Sequence, residues 1–360
     1  MIAVKRRLKK WTPIGVDFGA SAICAIQLRR EGRLLIVSGA ARQELRERGA
    51  AVAQSAAAAA QLAICLKAAK FKGRLAIAGI SAPDVEFHPL DAAAAAAAAD
   101  DQPDPGVQAE LERLTTDIDG PLETRFWPIS AGAQAPTAIG VAVAQSLAVN
   151  AAQSCEGAGL SCARVGPVAT ALADFTHQLR DWSPDEIVGV LDVGLRQSRL
   201  VLCVQRQAVL VRQAGSGGHA WTERIAVGLN VSERTAEVHK RDSGIAMVGQ
   251  HRETGESRTE LSSMVLGALR RDLTDLAGEI KRSYEYVMRC YPGKRAGELV
   301  LVGGGSRLRN LPEFLSDALG IDVQLPSAYL GDAACRLVVP ANGVPPPEFC
   351  AAAIGLAMEG

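Results

Sequence analysis

The chain has 360 residues, 48% of them apolar, and its 39 Lys and Arg balance 39 Asp and Glu. That length carries two lobes or domains, and the apolar share supplies a core without disulfides or metal. Zero net charge excludes nucleic acid as the main partner, because neutralising phosphates takes a basic face.

The one strongly basic stretch, "KRRLKK" at Lys5 to Lys10, reads as a solvated leader or as a contact for anionic lipid headgroups. Pro13, Asp17 and Arg29 interrupt the apolar residues downstream of it, so it is read as neither a signal peptide nor a membrane span, and a cytoplasmic protein is expected. From Gly15, "GVDFGASAICAIQL" is an apolar strand ending in Asp, one residue, Gly, a short turn and a second apolar strand. A third strand, "RLLIVSGA", comes after the turn at Glu31 and Gly32, and an alanine-rich helix is predicted over about 50–70, stopped by Gly73. "RLAIAGI" then opens a predicted α+β insertion, residues 74–160, holding helices in "QAELERLTTDI" and "QSLAVNAAQSCEGAGL" and a strand in "TAIGVAVA". Within it, the run Ala92 to Ala99 fits a surface helix or a disordered loop alike. "SCARVGPVATALADF" reads as strand, turn and helix.

The second half repeats the plan. "VLDVGLRQSRLVLC" from Val190 aligns Asp192 and Gly194 with Asp17 and Gly19, and the strand "AVLVRQA" comes next in the same order. Three strands matching in sequence argue for duplication. A helix starts near Thr222, and a long one is predicted from Ser262 to Tyr291 with Leu269, Leu273, Leu276, Ile280, Tyr284, Val287 and Met288 on one stripe. "ELVLVGGGSRLRNLPEFLSDALG" then gives strand, glycine turn and helix, ended at Gly320. The eight cysteines show no CxxC pair and read as buried hydrophobes in a reducing compartment; the five histidines lack metal-ligand spacing.

A strand ending in D-x-G suits phosphates, because glycine lets the backbone approach and turn N–H groups donate to anions. The aspartate can hold Mg²⁺ through water. Two such hairpins face to face would clasp a β,γ-phosphate, and Gly303 to Gly305 before a helix would let a ribose press on the backbone. Leu308 breaks a G-x-G-x-x-G pattern, no G-x-x-x-x-G-K-[ST] exists, and "AGSGGH" is not a G-x-S-x-G elbow. A Rossmann enzyme, a P-loop NTPase and an α/β-hydrolase each lack their marker.

The order of two D-x-G hairpins and a strand-GGG-helix unit resembles the actin-like ATPase superfamily. Within it the chain resembles the PilM family of type IV pilus assembly proteins, with the division protein FtsA as a cousin. "GSGGHAWTERIAVGLNVSERTAEVHK", "LAGEIKRSYEYV", "AGLSCARVGPVATALADF" and the closing "FCAAAIGLAMEG" extend that resemblance over most of the chain. It implies an α/β, two-lobed actin-like fold with duplicated mixed-sheet lobes and an α+β insertion in the first lobe. The divisions would be 11–73 and 161–186 for the first lobe around the insertion, 187–334 for the second lobe with a helical part at about 235–295, and 335–360 returning to the first.

The resemblance also implies ATP and Mg²⁺ in the cleft between lobes. Asp17 and Asp192 would approach the metal through water; Gly19, Ser21, Gly194 and Ser198 would line the phosphate turns, and the Gly217–Gly218 pair would also bind the nucleotide. Glu237 and Lys240 would reach ribose and adenine, with Gly304, Gly305 and Ser306 opposite. It implies no catalytic residue, at most a weak ATPase, and a scaffold at the inner-membrane face that receives the N-terminal cytoplasmic peptide of a PilN-like membrane protein, in a groove between the insertion and the rest of the first lobe. Pilus motor or platform proteins are further candidate partners; the membrane is met only indirectly. An FtsA-like filament protein ranks behind because no amphipathic membrane helix comes after the closing helix, and a small-molecule kinase because no acceptor-site acid motif is found. The first turn departs from the family: Ala20, Ser21, Ala22, Ile23 and Cys24 lack its hydroxyls and its lysine, and the second carries Leu195, Arg196 and Gln197 where small residues are usual. Each lost hydrogen bond to a charged group weakens a ligand by roughly 1.5–3 kcal/mol, so two would lower affinity more than about a hundredfold. Arg196 is the candidate replacement for the missing positive charge.

Overall fold

The computed structural model describes residues 10–45, 57–81, 85–90, 105–116, 118–129, 136–246 and 256–359. The octa-alanine run and the basic segment before Lys10 lie outside them. In the first lobe, β1 (Trp11–Phe18), β2 (Ala22–Glu31) and β3 (Leu34–Glu44) form an antiparallel meander. After α1 (Ala58–Lys67), β4 (Leu75–Ile80) lies parallel on the other side of β1. The chain then builds a separate antiparallel sheet from β5 (Val85–Leu90), β6 (Leu122–Pro128) and β7 (Ala138–Ala144), with α2 (Pro105–Leu114) set between β5 and β6 in sequence. It returns through α3 (Gln145–Gly157) to β8 (Ser161–Pro167), parallel to β4, and α4 (Val168–Thr176).

The expected insertion is therefore too wide. The strand predicted to open it, β4, sits between β1 and β8 in the first lobe's sheet, and α3 buries Leu147, Ala151 and Cys155 in the core under that sheet. What lies outside the lobe is β5 to β7 and α2, whose Val107 and Leu111 cover Leu90 and Ala138. The partner of β4 is distant in sequence, so its five buried residues read locally like any short strand.

The second lobe repeats the meander. β9 (Glu186–Val193), β10 (Gln197–Val204) and β11 (Gln207–Ser216) are antiparallel, and after α5 (Gly218–Leu229), α6 (Glu233–Asp242) and α7 (Glu256–Cys290), β12 (Arg295–Val302) runs parallel to β9. α8 (Leu311–Leu319), β13 (Val323–Gln324), β14 (Leu337–Val338) and α9 (Ala351–Met358) complete the chain. The sheet orders are β14-β3-β2-β1-β4-β8 and β11-β10-β9-β12-β13. Val16 and Leu191 hold counterpart places: each pairs with the second strand of its hairpin on one side and with a parallel strand on the other.

Both faces of the central strands are buried, and the period of two sorts them. Leu191, Val193, Leu200, Leu202, Leu299 and Leu301 meet Trp221, Ile225 and the α7 stripe, while Val190, Val201, Val300 and Val302 face α4 and α9. From the first sheet, Cys24, Ile26 and Leu28 enter that same central cluster, so α4 and α9 lie between the two sheets. Their approach needs glycine: a Cβ on Gly355 would sit 1.9 Å from Ala171 O, and one on Gly15 would sit 2.0 Å from Ala353 O.

Candidate functional site

The two D-x-G turns open on one cleft. Asp17, Gly19, Ser21, Asp192 and Gly194 line its inner end together with Arg42, Ser81, Arg196, Arg199, Gly303 and Phe349. Gly194, Gly218, Glu237, Lys240, Gly304 and Gly305 line the outer end with Glu44, Arg241 and Arg307. Ten of the thirteen residues expected at a site are thus brought together. Ser198 is fully buried and donates to Ser216 O at 2.7 Å, and Ser306 donates to Gly303 O at 2.7 Å. Neither is on the cleft wall, and neither is Gly217, whose Cβ position lies 2.5 Å from Leu195 O.

That crowding has a chemical consequence. The first N–H groups of α5 point at the second hairpin turn: Gly217 N donates to Arg196 O, Gly218 N to Gly194 O and His219 N to Leu195 O, at 2.8–3.0 Å. A helix start that would otherwise offer free donors to an anion is already satisfied by backbone carbonyls. It fixes the turn instead.

α6 contributes a closed polar network. Ser232 caps the helix by accepting from Thr235 N, and the network lies along the face turned to α5. Lys240 Nζ donates to Gly218 O at 2.8 Å and to Thr222 Oγ1 at 2.6 Å, and lies 2.6 Å from Glu237 Oε2. Glu237 also pairs with Arg241 Nε at 2.7 Å and accepts from Thr222 Oγ1. Burial alone would raise the Glu237 pKa, but Lys240, Thr222 and Arg241 outweigh it and hold the carboxyl below its ordinary value. A buried lysine is tolerable only when its donors are filled, and these are.

The inner end is organised differently. Asp192 on β9 faces Arg199 on β10, as Asp17 on β1 faces Cys24 on β2. Duplication therefore puts an arginine and a cysteine in equivalent positions. Arg199 is 6% exposed and, among the described residues, has no ion pair within 4.0 Å. Burial pulls its pKa down, against the charges of Asp192 and Asp17. The Asp17 carboxyl is pushed up to about 7, by burial first and by Asp192 next, with Arg199 and Arg42 pulling the other way. Among the described residues its buried Oδ1 has no hydrogen-bond partner. Asp192 is raised by burial and lowered by Arg199.

Sequence reasoning missed four of the wall residues that matter most. Arg42 from β3 and Arg307 from the segment after Gly305 both stack on the Phe349 ring, at 5.8 and 5.2 Å to its centroid, bringing both lobes onto one aromatic side chain. Arg199 carried one signal, a charge inside the apolar run "SRLVLC". The insertion borders a second cavity, of about 490 Å³, between β5 and β11 and reaching Arg199 and Gln197. On its other face Val141 and Val143 are core with Val16 and Ile80. Trp127 Nε1 ties the insertion to Ala208 O of the second lobe at 3.0 Å.

Two like lobes, each a meander with a parallel strand beside it, and a cleft entered by both hairpin turns define the fold of the actin-like ATPases. Residues 165–360 match the model of the type IV pilus assembly protein PilM family. The chain belongs to that family. Over 98% of its length it is similar to a chain of a solved "PilM-PilN type IV pilus biogenesis complex", with 22% identity, a TM-score of 0.71 and 99% of that chain covered. It is also similar to the ethanolamine utilization protein EutJ from Carboxydothermus hydrogenoformans, with 14% identity, a TM-score of 0.55, and 98% and 91% of the two chains covered. No curated protein sequence matches the chain. Among the described residues no helix is long and apolar enough to cross a membrane.

The fold implies a nucleotide with Mg²⁺, and the wall answers differently for each. On the outer side a Cβ on Gly304 would meet nothing within 4 Å, an open cradle of the kind a ribose or base presses into. On the inner side, two carboxylates share the space with a buried guanidinium, and among the described residues no group of three or more His, Cys, Asp or Glu could hold a metal. The glycine cradle and the basic wall fit a nucleotide; the two carboxylates do not make an all-protein metal cage, and a divalent ion beside them would be held through water and the nucleotide's own phosphates.

Proposed function

We propose that this protein is a scaffold of the type IV pilus assembly platform, or of a related secretion platform, at the cytoplasmic face of the inner membrane. It receives the N-terminal cytoplasmic peptide of a PilN-like membrane protein and holds an adenine nucleotide between its lobes. Membership of the PilM family carries this reading, and the solved PilM-PilN complex, similar over the whole chain, supports the partner. The insertion is the proposed receiving element. Its strand β5 pairs only with β7 among the described residues, and an extended peptide adds most readily to such an edge. For the nucleotide, the support is a cleft that gathers Gly194, Gly218, Gly304 and Gly305 beside Lys240 and Glu237.

The test is a pull-down of the full chain by the N-terminal peptide of a PilN-like protein, with a scrambled peptide as control. Retention above the control supports the scaffold. Equal retention on both overturns it.

A further inference from the structure

The cleft wall carries six basic side chains, Arg42, Arg196, Arg199, Lys240, Arg241 and Arg307, against the four acidic ones of Asp17, Glu44, Asp192 and Glu237. Five of these are already engaged with each other: Arg42 with Glu44, and Lys240 and Arg241 with Glu237. Among the described residues neither Arg196 nor Arg307 has an ion pair, and Arg307 is held over Phe349. Arg199 stands apart. It is more than nine-tenths buried, its guanidinium has no hydrogen-bond or ion-pair partner among the described residues, and it lines the same inner space as both strand-end aspartates.

The nitrogens of Arg199 are not among the fully buried polar atoms that lack a partner, so the guanidinium opens on the cleft with donors free for a ligand. The two aspartates offset its charge at longer range, but they leave its planar fork of donors unfilled, and that fork matches a phosphate. The position is fixed by the fold, since Arg199 pairs with Asp192 across the β9–β10 hairpin. It is thus a cation tethered where a phosphate-binding cleft of two aspartates would otherwise need a free one. A divalent ion arriving there would meet a positive charge already in place.

We propose that Arg199 is the cation of this site, so that the cleft binds the phosphates of a nucleotide directly and its affinity does not depend on a divalent metal. This rests on the nucleotide reading above, and it deepens that reading by naming the ionic form the site takes: the free nucleotide polyanion, not its metal chelate. Arg196 at the inner end and Arg307 at the outer end of the same cleft add to the field that draws the polyanion in.

The experiment measures ATP binding to the full chain by titration calorimetry, once with magnesium and once with EDTA. The expected result is a Kd that changes by less than about threefold between the two. Arg199→Met removes the charge and keeps an unbranched side chain. Its ATP affinity in EDTA is expected to fall by about tenfold or more, with part of the loss restored by magnesium. Arg199→Lys, which keeps the charge without the fork, is expected to fall between. If wild-type affinity drops about tenfold or more in EDTA, the metal is the cation and the proposal is overturned while the nucleotide reading stands. If ATP binds in neither condition, both fall together. The wild-type comparison needs no variant to fold.

Discussion

Gly304 and Gly305 are neighbours with different reasons to be glycine. A Cβ on Gly305 would lie 2.1 Å from Val193 Cγ1, while one on Gly304 meets only open cleft. Gly305→Ala is therefore expected to lower stability by about 1–3 kcal/mol in urea unfolding. Gly304→Val should keep the wild-type midpoint and lose about tenfold or more in ATP affinity; wild-type affinity in that variant would remove the cradle from the site. His177 gives a pH signature. Its buried Nε2 has no partner among the described residues, and burial, followed by the charge of Arg206, pulls its pKa from 6.5 to about 4. Between those values the unfolded chain holds a proton that the fold refuses. This contribution is complete above the unfolded value and is lost as pH falls toward the folded one, roughly 2 kcal/mol of it by about pH 5. Urea unfolding at about pH 7.5 and about pH 5 should show that drop, and His177→Leu should flatten it. The D-x-G and GGG residues were legible because glycine at a strand end has few other uses. Arg199 was not, because a lone arginine in a strand gains meaning only when the fold shows what it faces.

Helices and strands were legible to the extent that their signals are local. The D-x-G hairpins, the stripe on α7 and the Gly320 stop, with its φ of +68°, all arise from short-range pattern. The insertion's limits did not, since nothing in "RLAIAGI" says that its neighbours are β1 and β8. β5 and β6 escaped notice because Pro89 and a mix of polar residues blur their alternation. Two glycines in helices make a matched test of how close the elements run. Gly355 of α9 has no room for a methyl against Ala171 O, so Gly355→Ala should cost about 3 kcal/mol. Gly267, exposed in the middle of α7 with nothing within 4 Å, should gain up to about 1 kcal/mol as alanine. Chemical denaturation of both reads the contrast; equal effects would mean that α9 and α4 are less tightly apposed.

For the molecule as a whole, the cleft joins two bodies that already share a core, so a ligand in it acts as one more contact between them. ATP at about a hundred times its Kd should add about 2.7 kcal/mol to unfolding, seen as a rise in the thermal midpoint. No rise would leave the two lobes held by protein contacts alone. Those contacts run through α9, whose Ala353, Ile354 and Ala357 fill the space between the sheets. The segment starts beside Cys350, 326 residues after Cys24 of β2, so the face of the first sheet that it covers waits for it through that whole stretch of synthesis. Nascent chains stalled before Cys350 are the form in which this protein would lean hardest on chaperones.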